Sequence, residues 1–496
     1  MRTPLKISLT LALAAIVGLG ATIAGAGEIP AHPDDLKYGD LKFDLPDADA
    51  LRFELDNGTP VYLKSDHLLP LVNMTVSFRG GRYLTPEGKE GLTAIADEVW
   101  RTGGAGDRSP QQLNEDLDYL AAIVSTSIGD VSGSVSLNVL SKDLDEALAI
   151  FMSILTEPAF DAERFAKAQD DMIQAMKRRN DDIGSIASRE WDRLMYGEDY
   201  WMNRLATQAS VDGLTPEDAT DFVNRLVRSG TLVVAISGDI TEERAKELLN
   251  PTIGRIPALR MALPPVPQPD HKPRPGVYVV NKTDVNQGQI RFGQPGFKLG
   301  DPDEFALRVG NDILGGGGFT ARMMKKIRSD EGLTYGAYSS LAMPITMPGT
   351  FSGSLQTKSS TVAYATELIK ELMQGMQTGL VTDEEINTTK ASFVETFPRR
   401  FESAAQTAGT FASDELLGRP EGYWSSYRDK VSAVTPEEIK RAFAERIDPD
   451  TMVLLVVGNL EEIMKGHPDH ESALGDFGEI TELPLRDPMT LEPIVE

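Results

Sequence analysis

Three features of this chain have the residue types to do chemistry: a close histidine pair, two adjacent carboxylates, and a run of glycines. The pair is "HPDHE", with His467 and His470 two of five histidines in all, the others being His32, His67 and His271. Pro468 between them breaks a helix, so the pair reads as a surface loop and not as two ligands on one helical face. The carboxylates, Asp97 and Glu98, stand next to each other in "GLTAIADEVWRTGG". On a helix they point about 100° apart, and with no imidazole beside them they would make a weak, hydrated metal site at most. The glycines, Gly315, Gly316, Gly317 and Gly318, lead through Phe319 into "TARMMKKIRSDEGLTYGAYSS". A phosphate loop needs Gly-Lys-Ser/Thr after them in a strand–loop–helix frame, and none follows. What remains is a glycine-rich turn or a close approach of backbone. Arg328 and Tyr335 follow seven residues apart, a spacing repeated by Arg189 with Tyr196 and by Arg193 with Tyr200, so spacing alone assigns no role.

The elements that must position these residues form one unit used twice. "GLTPEDATDFVNRLVRSGTLVVAISGDI" parallels "AVTPEEIKRAFAERIDPDTMVLLVVGNL", with Thr215 and Thr435, Pro216 and Pro436, and Gly238 and Gly458 each 220 apart. Each copy reads as a Thr-capped helix with proline in its first turn, followed by an apolar strand closed at a glycine. "PVYLKSD" and "GVYVVNK" read as strands opening the two halves, each followed by a second β-type run, "LVNMTVSF" and "GQIRFG". "SPQQLNEDLDYLAAI" and "LDEALAIFMSILTEP" have helical spacing, and "GSVSLNVL" alternates as a strand does. The expected fold is α+β: two tandem domains, each a mostly antiparallel sheet with helices packed on one face. The proline-rich stretch 256–275 reads as the linker between domains at 27–255 and 276–465. Residues 466–496 read as a polar C-terminal tail.

The first residues carry Arg2 and Lys6, an apolar stretch broken by Gly18 and Gly20, and then "AGA", the pattern of a signal peptide cleaved after Ala26. The expected compartment is the periplasm. The absence of cysteine excludes lipid attachment through a cysteine, disulfides and thiolate metal sites. The net charge of −26, or −28 once Arg2 and Lys6 leave with the leader, speaks against nucleic acid.

In this order of elements the chain resembles the pitrilysin/insulinase-type zinc peptidases, the inverzincins, whose signature helix carries H-x-x-E-H. The resemblance implies that Ala94, Asp97 and Glu98 stand where the family has its first histidine, its glutamate and its second histidine, and that the third ligand falls at or next to Ala175, between Gln174 and Met176. No zinc is therefore expected in this chain. The resemblance also implies that Arg328 and Tyr335 hold substrate beside the loop of Gly315, Gly316, Gly317, Gly318 and Phe319. Arginine offers a planar fork of donors to a peptide carbonyl, and a tyrosine hydroxyl donates to the same carbonyl or to its oxyanion; a structural capping role is the alternative for both. The family includes heterodimers in which one chain brings the zinc helix and the other the Arg/Tyr pair. The expectation is a non-catalytic periplasmic subunit, inactive alone, that positions peptide for a zinc-bearing H-x-x-E-H partner. The alternative is a scaffold or assembly subunit of the same fold with no part in peptide binding.

Overall fold

Alternation along "LVNMTVSFR" buries every second side chain, as a strand with one face on a core requires. That strand, β3 (Leu71–Arg79), lies in the first of two six-stranded sheets, with β1 (Arg52–Glu54), β2 (Pro60–Ser65), β4 (Ile123–Ile128), β5 (Ser132–Leu140) and β6 (Val233–Gly238) in the order β1-β2-β6-β3-β5-β4. The second sheet has β7 (Gly276–Asn281), β8 (Gln287–Phe297), β9 (Ala337–Leu341), β10 (Gly349–Lys358), β11 (Val453–Gly458) and β12 (Ile480–Leu483) in the order β12-β7-β11-β8-β10-β9. The computed structural model describes His32 and residues 42–257 and 263–494, and from Leu45 onward the chain forms one unit. The expected leader lies outside the described residues, as do 258–262 of the expected linker; 263–275 carry neither helix nor strand.

The two sheets share one plan. β2, β6, β3, β5 and β4 correspond in order to β7, β11, β8, β10 and β9, and in each the pair β2–β6 or β7–β11 is parallel while the neighbours that follow are antiparallel. Thr215 and Thr435 each accept the N–H three residues on and complete a capping box, so the matched helices Pro216–Val227 and Pro436–Arg446 start by the same chemistry. The sheets differ at one edge, where β1 adds antiparallel to β2 but β12, from the C-terminal segment, adds parallel to β7.

Helices of each half cover one face of its own sheet, and a helix of the other half covers part of the opposite face. Ile183–Tyr196, from the first half, packs on β8 and β11 and buries Ile186, Trp191 and Met195 against Val453, Leu455 and Val457. Ala404–Leu417, from the second half, packs on β2, β3 and β6. There Arg52 grips both oxygens of Glu415 at 2.9 Å, and the Tyr62 hydroxyl donates to Glu415 at 2.7 Å. These bonds, Arg52 first, hold the Glu415 carboxyl below its ordinary range. The all-apolar runs of β6 and β11 follow from this exchange. Leu454 and Val456 face the second-half core while Val453, Leu455 and Val457 face the incoming helix, so every position along β11 is buried. Each fully buried aliphatic side chain there contributes about 1.5–3 kcal/mol of burial.

The C-terminal segment also ties the halves. Beyond β12, the Asn180 amide donates to the Arg486 carbonyl at 2.8 Å, and the Gln208 N–H to that of Met489 at 2.9 Å.

Candidate functional site

The helix Leu92–Trp100 starts at Gly91, whose φ of 103° is open to glycine at little cost, and buries Leu92, Ile95, Val99 and Trp100. The Trp100 indole N–H donates to the Ile154 carbonyl at 2.7 Å, which fixes the helix to its neighbour Leu144–Thr156. The positions that bear chemistry in the family lie on the other side. Ala94 and Glu98 are exposed, and Asp97 is half-buried. The Ile128 N–H donates to Asp97 Oδ1 at 2.9 Å; burial nonetheless raises the Asp97 carboxyl above its usual range, with that bond opposing. Asp97 thus acts as a clasp between this helix and β4.

The helix Ala162–Lys177 is capped by Asp161, and along it Gln174 and Ala175 are exposed while Met176 is buried. Ala94 and Ala175 line the same cavity of about 370 Å³, together with Thr93, Met172 and Met176. The structure therefore brings together the two alanines that were matched to a histidine and a carboxylate ligand. A methyl donates no lone pair, Asp97 is engaged with backbone, and among the described residues no group of three or more His, Asp or Glu could hold a metal. The residues present do not fit zinc.

The second-half loop is built of unusual turns. Asp312–Gly316 and Met324–Asp330 are π-helical, and the N–H groups of Gly317 and Glu331 reach back five residues to Asp312 and Lys326 at 2.8 and 3.1 Å. Such turns insert a residue and swing the following side chains around the helix. Met323, Met324 and Ile327 face inward as their spacing requires, and Gly332, at φ 65°, ends the turn. Gly315 is set by close approach: a Cβ there would lie 2.5 Å from the N and Oγ of Ser339 in β9. Arg322 holds Glu385 through two bonds of 2.7 and 2.8 Å, anchoring the segment to the helix Asp383–Thr396. Chiefly through Arg322, Glu385 is pulled down to about 2.

On this base Arg328 is stacked over two rings, with its Cζ 4.8 Å from the centroids of both Phe319 and Tyr335. The two rings are 76 % and 87 % exposed, too much for core residues. Among the described residues Arg328 has neither an ion pair nor a hydrogen bond, so its donors are free for a ligand. The Thr334 hydroxyl donates to the Gln356 carbonyl at 2.7 Å, which pins the backbone beside Tyr335 to β10. Gly316, Gly317 and Gly318 complete the rim before Phe319.

The other Arg/Tyr spacings are structural. Arg193 pairs with buried Glu190 at 3.0 Å, and Tyr196 stacks on Tyr200 with centroids 5.5 Å apart. His467 and His470 lie against Tyr364, and His470 stacks on its ring at 3.5 Å. His67 bonds Asp239 at 2.7 Å, and His271 lies 3.1 Å from the Leu194 carbonyl. Sequence reasoning passed over Arg82 and Arg204 and read 178–182, with Arg179, as a solvated helix end, whereas all three arginines line the cavity beside Ala94 and Ala175. Their only signal was being arginines near that helix, because chain distance hides their convergence.

Residues 213–393 match the family described as peptidase M16 inactive domain. A non-peptidase homolog, YmxG of Helicobacter pylori, is 25% identical over 406 residues, covering 81% of this chain and 92% of that protein. The crystal structure of a peptidase M16 inactive domain from Pseudomonas fluorescens superposes with a TM-score of 0.74 at 22% identity, covering 82% of this chain and 97% of that one. The periplasmic protease PqqL of Escherichia coli gives a TM-score of 0.71 at 16% identity, covering 87% of this chain but 49% of that one. The duplicated sheets and these matches agree: residues 213–393 match the peptidase M16 inactive domain, and the chain as a whole is similar to non-catalytic homologues of the pitrilysin/insulinase-type (M16) peptidases, with no H-x-x-E-H motif in its sequence.

Proposed function

We propose that this chain is the non-catalytic subunit of a periplasmic zinc metallopeptidase heterodimer, positioning peptide for an H-x-x-E-H partner. The observation that carries this reading is Arg328, half-buried, stacked on the exposed rings of Phe319 and Tyr335, and without an ion pair or hydrogen bond for its donors among the described residues. A guanidinium oriented by two rings loses little freedom when its edge meets a peptide carbonyl, and the Tyr335 hydroxyl lies close enough in sequence and space to serve the same group. The partner's zinc would supply the activated water. This chain's residues would hold the scissile carbonyl and offset the charge that develops on its oxygen.

Two comparisons support the reading. A non-peptidase relative is matched over 92% of its own length, and a periplasmic protease of the same fold is about twice as long, as a fused pair of such chains would be. Among the described residues no helix is long and apolar enough to cross a membrane.

The test is reconstitution. The chain alone is expected to hydrolyse no peptide, and mixing it with an H-x-x-E-H partner chain is expected to restore hydrolysis. Hydrolysis by the isolated chain overturns the reading. A pair that forms a stable complex but cleaves equally well with and without this chain identifies a scaffold instead.

A further inference from the structure

The cavity between Ala94 and Ala175 has no donor set for a metal, but it does have unbalanced positive charge. Arg82, Arg179 and Arg204 line it, and Glu90 is the single carboxylate in its wall. Glu90 accepts the Gly88 N–H at 3.1 Å and pairs with none of the three. Arg82 meets Asp130 at 3.2 Å and donates to the Met202 carbonyl at 2.7 Å. Arg179 and Arg204 have only backbone carbonyls: Arg179 donates to Ala206 at 2.7 Å and Pro488 at 3.0 Å, and Arg204 donates to Thr85 at 3.0 Å. Burial, and after it the charges of Arg189 and Arg193, push Arg179 down to about 10. That is the direction expected of a desolvated cation with no acid beside it.

The rest of the wall is largely apolar, with Ala94, Met172, Ala175, Met176 and Trp201. A carboxylate matches the guanidinium fork with both oxygens, and the apolar wall calls for a hydrocarbon body attached to it. A bare phosphate would satisfy the charge and leave that wall in contact with nothing apolar. The cavity also shares Glu90, Trp201, Arg204 and Leu205 with a larger one of about 1510 Å³, so a ligand held by one end has room to continue as a chain.

We propose that this cavity binds the C-terminal carboxylate of a peptide together with its last, apolar side chain. The site lies in the first half, grips different ligand atoms from those offered to Arg328 and Tyr335, and does not depend on a partner chain.

Fluorescence anisotropy of the full chain with a labelled nonapeptide ending in leucine, as free acid and as C-terminal amide, tests this. The acid is expected to bind more tightly than the amide by on the order of tenfold. Arg204→Gln is expected to abolish most of that preference. Ala175→Trp, at an exposed helical position that keeps all three arginines, is expected to fill the cavity and weaken the acid by a similar factor with an unchanged circular dichroism spectrum. Equal binding of acid and amide overturns the proposal, as does binding of neither, or a preference indifferent to Ala175→Trp. Displacement by sodium phosphate as effective as displacement by N-acetyl-leucine would overturn the peptide assignment.

Discussion

The helix Leu92–Trp100 and the segment Gly315–Tyr335 are the two places where the resemblance puts the zinc motif and the substrate contact, and they differ in the residues each presents away from its core. In the helix the buried positions are intact, while the positions away from the core are an exposed alanine, an exposed glutamate and a half-buried aspartate clasped to backbone. In the segment the buried positions are equally intact, but two exposed aromatic rings flank a half-buried arginine. Packing explains the first helix completely. It does not explain why Phe319 and Tyr335 stand in water around a cation with no ion pair among the described residues, and the proposed peptide contact would.

The sharpest way to break this contrast is to test what the first helix is for. Trp100→Ala removes a fully buried indole and its bond to Ile154 and is expected to cost about 3–5 kcal/mol in urea unfolding. Ala94→His on the exposed side is expected to change stability by less than about 0.5 kcal/mol. Comparable losses from both would mean that the alanine is a packing residue and the comparison fails.

Next in size is the glycine run, where the two reasons for glycine separate. Gly315→Ala forces a contact on Ser339 and Met323 and is expected to cost about 1–3 kcal/mol by the same measurement. Gly318→Ala meets no atom within 4 Å and is disfavoured only by its φ of 63°, at about 1 kcal/mol.

The Arg322–Glu385 anchor gives a pH signature. Glu385 is held below its ordinary value of 4.5, at about 2, so its stabilising contribution is fully present above that ordinary value and is lost as pH falls toward the folded one. Glu385→Gln is expected to lower stability at neutral pH by on the order of 1 kcal/mol, after allowing for partial exposure, and to flatten the acid limb of the stability profile. An unchanged acid limb would show that the anchor is not formed in solution.

The smallest expected effect is at the exposed stack. Tyr335→Phe and Phe319→Ala are each expected to alter thermal stability by no more than about 0.5 kcal/mol, because both rings are exposed. A large loss from either would give the cluster a structural role and weaken the contrast from the other side.

Much of this was legible in the chain because it rests on local patterns. The 220-residue offset of Thr215 and Thr435 carried the duplication, and the capping boxes at both confirm the helix starts. The alternation in β3 and β5 gave antiparallel strands with one buried face. What stayed hidden depends on contacts distant in sequence. The unbroken apolar runs of β6 and β11 read as strands, but nothing local says that both their faces are buried or that the second cover comes from the opposite half. The C-terminal strand β12 was obscured for the same reason, since its four residues, two of them exposed polar ones, carry no alternation and its partner residue Val277 in β7 lies 203 positions before Ile480. At the site, Ala94 and Ala175 were matched to one locus by resemblance, and the shared cavity supplies the geometry. The rings around Arg328 needed the π turns, which carry no sequence signature beyond the glycines that flank them.

The most direct measurement of the central claim is kcat/KM for peptide hydrolysis by the reconstituted pair, with this chain as wild type and as Arg328→Ala. If Arg328 holds the scissile peptide, the substitution lowers kcat/KM by about 10- to 1000-fold while complex formation and thermal stability are unchanged. An Arg328→Ala pair as active as the wild-type pair contradicts the account.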